Sequence, residues 1–533
     1  MQGPTLLKKN KSAANGRLKA FLWNGFLLTL VALFMRFVGM SFQLFITEHA
    51  GGEAVGLYTV IGGVYGFAVT LATSGIHLGT TRLVSEALGR DDPGEVRAAR
   101  STCLRYAFFF GFAATALLFL GAKPIGIYLL QDVRTVRSLR ILSLSLLPIA
   151  LSSVCNGYFT AVRRVYKNAF CSVLEQGIRI ALTSLLLLYV LPKGIESACI
   201  ALVIGSTLSE ICSAAFLGLL FLCERKRHPK PKEHRSYEGL PKKLRGIALP
   251  VAFSAYARSG LLSIEHMLIP IGLTAFFGDR SAALSSFGVL QGVVLPILLF
   301  PSAILSSYAG LLVPEIAECK VRGQRKRVEH IVMAIFRAAL LFAVGISGIM
   351  LCFSHEIGSL LENGKEASYY LRLLAPLIPV MYLDTATDAI LKGHGEQVYC
   401  MQVNIIDSLL SVVLVWLFLP KMGMEGYILV IYIAELLNAS LSIARLLKIT
   451  GLKPPVRKIL FLPLFSVIGG TAVVRIAASF ASRFGLPFSG GIIGLTVHIL
   501  LSVFFYALFL LLLGGVEKAE LRNLYHRLKK KKS

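Results

Sequence analysis

The chain has 533 residues, of which 55% are apolar and only 16% charged, with a mean hydropathy of +0.70. A soluble domain is roughly 45–50% apolar and 25% charged, so a multidomain soluble enzyme is excluded. The formal net charge of +26 would suit nucleic acid only if it were gathered on a soluble surface, and its placement along the chain speaks against that.

Apolar runs long enough to cross a bilayer recur from Leu22 to Leu513. Crossing needs about 20 residues of helix, and hydrocarbon leaves backbone groups no partner except each other, so the runs must be helical. In chain order they predict helices at 20–46, 54–78, 103–122, 141–161, 169–191, 196–222, 246–277, 282–308, 330–353, 369–391, 400–419, 426–444, 459–480 and 489–514. The fold class is therefore an all-α polytopic membrane protein with about fourteen transmembrane helices. The first run is too long for a cleavable signal peptide, carries Arg36 in its interior and has no small-residue cleavage pattern after it.

Of the 55 Lys and Arg residues, nine fall in the odd-numbered gaps between helices, whereas the great majority fall at the two ends and in the even-numbered gaps. This alternation predicts a multi-pass protein of the bacterial cytoplasmic membrane with both termini cytoplasmic. The basic charge, including the stretch 224–245 and the tail Lys529–Lys532, then reflects topology and anionic lipid. Membrane lipids are expected partners and nucleic acid is not.

Short segments recur at an offset of about 230 residues. Leu139-Arg140-Ile141-Leu142 with Leu147-Pro148 returns as Leu371-Arg372-Leu373-Leu374 with Ile378-Pro379. Leu191-Pro192-Lys193-Gly194 returns as Leu419-Pro420-Lys421 with Gly423, and Leu83-Val84-Ser85-Glu86 as Leu312-Val313-Pro314-Glu315. The expected organisation is a six-helix bundle over 1–223, a basic cytoplasmic linker over 224–245, a second six-helix bundle over 246–450, and two further helices with a basic tail over 451–533. Parallel repeats of this kind place a transporter's site between the halves near the midplane.

Ionisable groups at membrane depth are costly and usually face a partner or a polar cavity. Arg36 in helix 1 and Arg258 in helix 7 lie too deep to snorkel easily, and two such cations would suit an anionic headgroup; internal pairing with Glu175 or Glu265 is the other reading. Glu175 and Arg179 in helix 5 share a face at i,i+4 and can pair locally. Glu265 either holds Arg258 or carries a coupling proton or cation, and His266 beside it reads as a hydrogen-bonded core histidine. Asp384 and Asp388 in helix 10 with Asp407 in helix 11 are candidates for a cation or proton site, against simple solvation at the cytoplasmic edge. Glu210 and Glu435 read as structural, and Arg475 as facing either lipid headgroups or a lateral groove. Pro250 and Gly260 in helix 7, Pro296 and Pro301 in helix 8, Pro148 and Pro379 are expected to interrupt or kink their helices.

The nine cysteines show neither CxxC nor Cys/His spacing, so no metal is implied. No GxxxxGK[ST], HExxH or GxSxG motif is present, so the chain is not expected to be an enzyme or to hydrolyse ATP. No cofactor is expected; a monovalent-cation or proton gradient is the candidate driving force of a secondary transporter.

Several stretches resemble a known family: Gly75-Ile76-His77-Leu78-Gly79 with Arg82-Leu83-Val84-Ser85-Glu86-Ala87 and Gly89, Leu174-Glu175-Gln176-Gly177-Ile178-Arg179, and Gly292-Val293-Val294-Leu295-Pro296 with Phe300-Pro301 and Leu312-Val313-Pro314-Glu315-Ile316. With the six-plus-six-plus-two plan, they resemble the multidrug/oligosaccharidyl-lipid/polysaccharide (MOP) exporter superfamily. Within it they resemble oligosaccharide flippases of the stage V sporulation protein B type, which are related to lipid II flippases. The resemblance implies alternating-access movement of an undecaprenyl-pyrophosphate-linked glycan or peptidoglycan precursor across the membrane. It also implies cavity arginines on the pyrophosphate: Arg36 and Arg258 match by helix and depth, and Arg179 follows. Glu265 departs from the resemblance, which leads one to expect Asp. Cell-envelope synthesis enzymes are further candidate partners. The alternatives are a cation- or proton-coupled multidrug exporter of the same superfamily and a non-transporting scaffold for glycan synthesis.

Overall fold

The computed structural model describes all residues except 1–2, 91, 191–193, 226–238, 307–315, 317–318, 320–322, 362–363, 453–459, 484–490 and 515–533. Most of the expected linker, the Leu312–Glu315 copy of the repeat and the basic tail lie outside the described residues. Every regular element among the described residues is helical.

Among the described residues, twelve continuous helices are long and apolar enough to cross a membrane. Two are double: Leu33–Gly89 and Gln397–Thr450 have 57 and 54 residues. At 1.5 Å per residue each would run over about 80 Å, twice a bilayer. Each is broken at a glycine held in a conformation closed to other residues, Gly51 (φ 81°, ψ 159°) and Gly423 (φ 59°, ψ −135°). Counting both arms of each restores the fourteen crossings expected of the sequence, and helices 1–14 are numbered accordingly.

Helix 2 breaks again at Ser74 and Gly75 (φ 37° and 68°) and continues over Ile76–Gly89, beyond its predicted end. Helix 3 starts at Pro93 because the Asp92 side chain accepts from the backbone of Gly94 (2.8 Å) and Glu95 (3.1 Å). Helix 8 starts at Arg280 under the equivalent cap from Asp279. Helix 7, Leu240–Phe277, is unbroken, contrary to the expectation from Pro250 and Gly260. A proline inside a helix removes a single backbone bond, and helix 7 keeps its course past Pro250 while packing along helix 2. In helix 8 the irregularity is a π-helical turn over Leu290–Val294, just before Pro296. In helix 10 it is a 3-10 turn over Ala375–Leu377, just before Pro379.

The chain forms two compact units, residues 1–292 with 408–427, and 293–407 with 428–533. In the first unit helix 3 packs on helix 4, helix 5 on helix 6, and helices 7 and 8 on helix 2. Helices 2 and 8 cross with backbones touching: a Cβ on Gly56 would overlap the carbonyl of Leu284, and one on Gly288 the carbonyl of Gly52. Gly288→Ala should therefore destabilise the first unit by about 1–3 kcal/mol, the usual cost of overpacking. A lowered unfolding temperature in detergent checks this.

In the second unit helix 9 (Arg325–Ser359) packs on both halves of helix 10 and on helix 13 (Leu462–Arg483), which in turn packs on helix 14 (Gly491–Leu512). The Arg475 side chain is half exposed. It ion-pairs with Glu356 (3.2 Å), donates to the Cys352 carbonyl freed at the Phe353 kink, and lies over the Phe353 ring at 5.6 Å. It thus pins helix 13 to helix 9. Six of the nine cysteines are buried, and all nine are free.

Candidate functional site

In the first unit Arg36 and Arg258 are both exposed, and neither makes an ion pair or hydrogen bond to any described residue. Arg36 precedes the Gly51 turn by about 22 Å of helix, and Arg258 precedes Gly278 at the same end of the unit by about 30 Å. The described contacts do not join the two guanidinium groups. Glu265 does not hold Arg258; it lies within electrostatic reach of the Tyr427 hydroxyl, which accepts from Gln291 Nε2 at 3.1 Å.

Helix 7 runs antiparallel along helix 2, and polar groups the sequence reading passed over line that seam. Thr70 Oγ1 donates to Ser259 Oγ (3.0 Å), on the turn carrying Arg258. Tyr256 bonds the Ser74 hydroxyl, and Tyr106 Oη donates to the Ser74 carbonyl at 3.4 Å. These tyrosines reach helix 2 where the Ser74-Gly75 break frees backbone groups. The Ser-Gly pair inside an apolar run was the signal available. His266 packs against Gly63, and its Nδ1 is buried with no hydrogen-bond partner, which corrects the expectation of a bonded core histidine.

Arg179 is not a free cation. Its guanidinium bonds Glu175 at 3.0 Å and pairs with Glu210 at 3.7 Å. Glu210 also accepts from Tyr65 Oη at 2.5 Å, and the same hydroxyl contacts Ser145 Oγ at 2.5 Å. One cation, two carboxylates and two hydroxyls thus close a polar core within the first unit. Glu210 belongs to it, in keeping with a structural role.

In the second unit Asp384 hydrogen-bonds Ser442 and lies within electrostatic reach of Asp388 and Asp407. Glu435 of helix 12 joins them, within reach of Asp384 and Asp407, although its sequence spacing gives no sign of the grouping. Asp384 Oδ1 is buried and accepts no hydrogen bond. Asp388 pairs at 2.8 Å with the exposed Lys392 near the C-terminal end of helix 10. The repeat sharpens the contrast: position 407 stands to 179 as Leu419 stands to Leu191, so an aspartate occupies the place that Arg179 takes in the first unit. Among the described residues no three His, Cys, Asp or Glu side chains converge to hold a metal ion.

At the end of the first unit where the 1–2, 3–4 and 7–8 turns meet, an ionic cluster forms. Arg134 contacts Glu53 (2.9 Å) and Asp132 (2.8 Å), while Arg280 contacts Asp132 (3.2 Å) and the Leu130 carbonyl (2.5 Å). Ser281 donates to Glu53. Burial alone would raise the Asp132 carboxyl, but Arg134 and Arg280 hold it below its ordinary value of 3.8. A carboxylate depressed on folding adds stability above its unfolded value and loses it as pH falls through the folded one. Acidifying below pH 3.8 should therefore lower the unfolding temperature of the protein, and less so for Asp132→Asn. A melting series from pH 6 to pH 3 measures it, roughly bracketing that window.

Residues 21–319 match the family model described as "Polysaccharide biosynthesis protein", and 273–417 match the "MatE" model. The chain is 25% identical over 515 residues to "Stage V sporulation protein B" of Bacillus subtilis (strain 168), covering 95% of this chain and 98% of that protein. It is 22% identical over 455 residues to "Lipid II flippase MurJ" of the same organism, covering 79% and 82%. Among solved structures it is similar to "Lipid II flippase MurJ, inward closed conformation" (TM-score 0.69, 14% identity, 91% of this chain and 98% of that one). It is also similar to an inward-facing "multidrug resistance MATE family transporter of the MOP superfamily" (TM-score 0.60, 16% identity, 79% and 94%).

Proposed function

The chain belongs to the polysaccharide biosynthesis protein family, within the MOP superfamily of membrane transporters, and on that premise we propose that it flips a lipid-linked glycan with a pyrophosphate head from the inner to the outer leaflet. The observation that carries the reading is the pair of exposed guanidinium groups, Arg36 and Arg258, left without ionic partners among the described residues. A cation at membrane depth needs compensation. A pyrophosphate supplies it through charge-assisted, bidentate hydrogen bonds of the kind Arg geometry favours. Ser259, Tyr256 and Tyr106 offer hydroxyls beside Arg258 to the sugar, and the polyprenyl chain stays in lipid. An organic cation would be repelled from the same two groups. The family relationship and the match to proteins printed as stage V sporulation protein B and lipid II flippase support a lipid-linked cargo.

With both termini inside, an inside-negative potential drives the anionic head outward, by about 2.3 kcal/mol per charge per 100 mV. The carboxylates Asp384, Asp407 and Glu435 serve as the seat of a coupling proton or monovalent cation, a reading supported by their gathering within one unit and by the buried Asp384 Oδ1, which accepts no hydrogen bond. Asp384→Asn with Glu435→Gln should remove the response of transport to an imposed cation or proton gradient while leaving the response to an imposed potential. Unchanged gradient dependence in vesicles would dismiss this assignment. The function itself is tested by reconstitution: vesicles containing the chain should move a fluorescent polyprenyl-pyrophosphate glycan between leaflets and leave an organic-cation dye where it is. The reverse pattern would make the protein a multidrug exporter.

A further inference from the structure

The repeat gives the two units the same three pieces at the end that the Lys and Arg bias assigns to the cytoplasm. They are the start of helix 3 or 9, the 4–5 or 10–11 turn, and the end of helix 6 or 12. In the first unit these pieces close around an acid of their own. Glu224, 5% exposed, bonds Arg164 of the 4–5 turn and Lys167 at 2.7 Å. Arg100 of helix 3 lies 4.9 Å over the Phe221 ring. In the second unit the corresponding place is a cavity of about 280 Å³. It is lined by Arg325 and Glu329 of helix 9, His394 of the 10–11 turn, and Ile449 and Thr450 of helix 12. The offset that carries Leu191 to Leu419 carries Phe221 to Ile449 and Glu224 to Leu452. An aliphatic side chain thus replaces the ring, and another replaces the acid. The sequence from Leu446 to Leu452 contains no carboxylate.

We propose that this cavity is a binding site for a phosphate group, which stands in for the missing carboxylate and ties helix 9, the 10–11 turn and helix 12 together. The two acids nearby are already engaged. Glu329 accepts from Arg325 Nε at 3.1 Å, and Glu396 pairs with Arg445 at 2.8 Å. A guanidinium held through Nε keeps its terminal N–H groups for a further acceptor. Arg325 Nη2 lies against the end of helix 12, 3.1 Å from the point a Cβ on Gly451 would occupy. His394, 6% exposed, brings an imidazole to the same cavity. Lys326 and Lys448, exposed on helices 9 and 12, add positive charge to the two helix ends. The volume falls at the foot of the range for ligand pockets, about 300–1,000 Å³, the scale of a headgroup and not of a whole lipid. An anionic phospholipid of the inner leaflet can bring the phosphate, because basic pockets between helices on the cytoplasmic side hold such headgroups while the acyl chains stay in the bilayer. A soluble phosphate is the other source.

The test follows thermal unfolding of the full-length protein in detergent, titrated with dioleoyl-phosphatidylglycerol, dioleoyl-phosphatidylcholine or sodium phosphate. Phosphatidylglycerol should raise the unfolding temperature of the wild type more than phosphatidylcholine does. Arg325→Gln should weaken that response by about 10- to 150-fold in lipid concentration, as loss of a hydrogen bond to a charged group implies. Lys242→Gln, which removes an exposed cation of the first unit, should leave it unchanged. Leu452→Glu supplies the acid from the chain itself and should abolish the response by a route that keeps Arg325. Protection by sodium phosphate equal to that by phosphatidylglycerol, and lost in Arg325→Gln, supports the site with a soluble anion as its occupant. A response unmoved by both Arg325→Gln and Leu452→Glu overturns the proposal. So does a response that Lys242→Gln weakens as much, since that is diffuse attraction to a basic surface. None of these readings uses transport, so the site stands or falls separately from the proposed cargo.

Discussion

Arg258→Ala should slow flipping of a pyrophosphate-linked glycan in reconstituted vesicles by about 10- to 150-fold, and Arg36→Ala should do the same. The magnitude follows from about 1.5–3 kcal/mol for a hydrogen bond to a charged group. Neither change should lower the unfolding temperature appreciably, because neither arginine has an ionic partner among the described residues and no carboxylate is left behind. Lysine at either position keeps the charge and loses the planar fork, so Arg258→Lys should fall between wild type and alanine. Two alanine variants that fold and flip at the wild-type rate would remove the pyrophosphate from the account. Loss of folding without these partners would show that the guanidinium groups serve the bundle.

Arg179→Ala should have the opposite profile. Its guanidinium holds Glu175 and Glu210 inside the first unit, and Glu210 is largely buried beside Tyr65 and Ser145. Removing one member of such a pair strands a carboxylate and costs about 3 kcal/mol, the lower end of the range for buried pairs because Arg179 itself is partly exposed. Adding Glu210→Gln should recover part of that loss, since the amide needs no counter-cation and can still accept from Tyr65. A double-mutant cycle in thermal unfolding reads the coupling directly. A stable Arg179→Ala protein that has lost only transport would return Arg179 to the substrate site, where the family resemblance had placed it.

These two arginine classes look alike in the linear chain. Arg36, Arg179 and Arg258 are each a cation in an apolar run, and the one local difference, Glu175 four positions before Arg179, serves helix support as well as it would a site. What separates them is Glu210, thirty-one positions from Arg179 and on the next helix, which comes into contact only when helices 5 and 6 pack. Glu435 is the parallel case: its neighbours Asp384 and Asp407 come from helices 10 and 11, so its spacing carried no hint of the cluster. Helix 7 erred the other way. Proline and glycine are strong local signals, but helix 7 runs on from Leu240 to Phe277.

The residues by themselves determined that this is a helical membrane protein with fourteen crossings. Hydrophobic length, turn glycines and capping aspartates act over a few consecutive positions, and a bilayer admits only one answer to twenty apolar residues. Tertiary structure alone decided which charges in the helices are satisfied internally and which stand open, that helix 7 and helix 8 up to Gly292 group with helices 1–6, and that three distant turns share one ionic cluster. Ion pairing falls off over a few ångströms and depends on partners brought together from far apart in the chain, so its outcome is written in packing geometry and not in spacing.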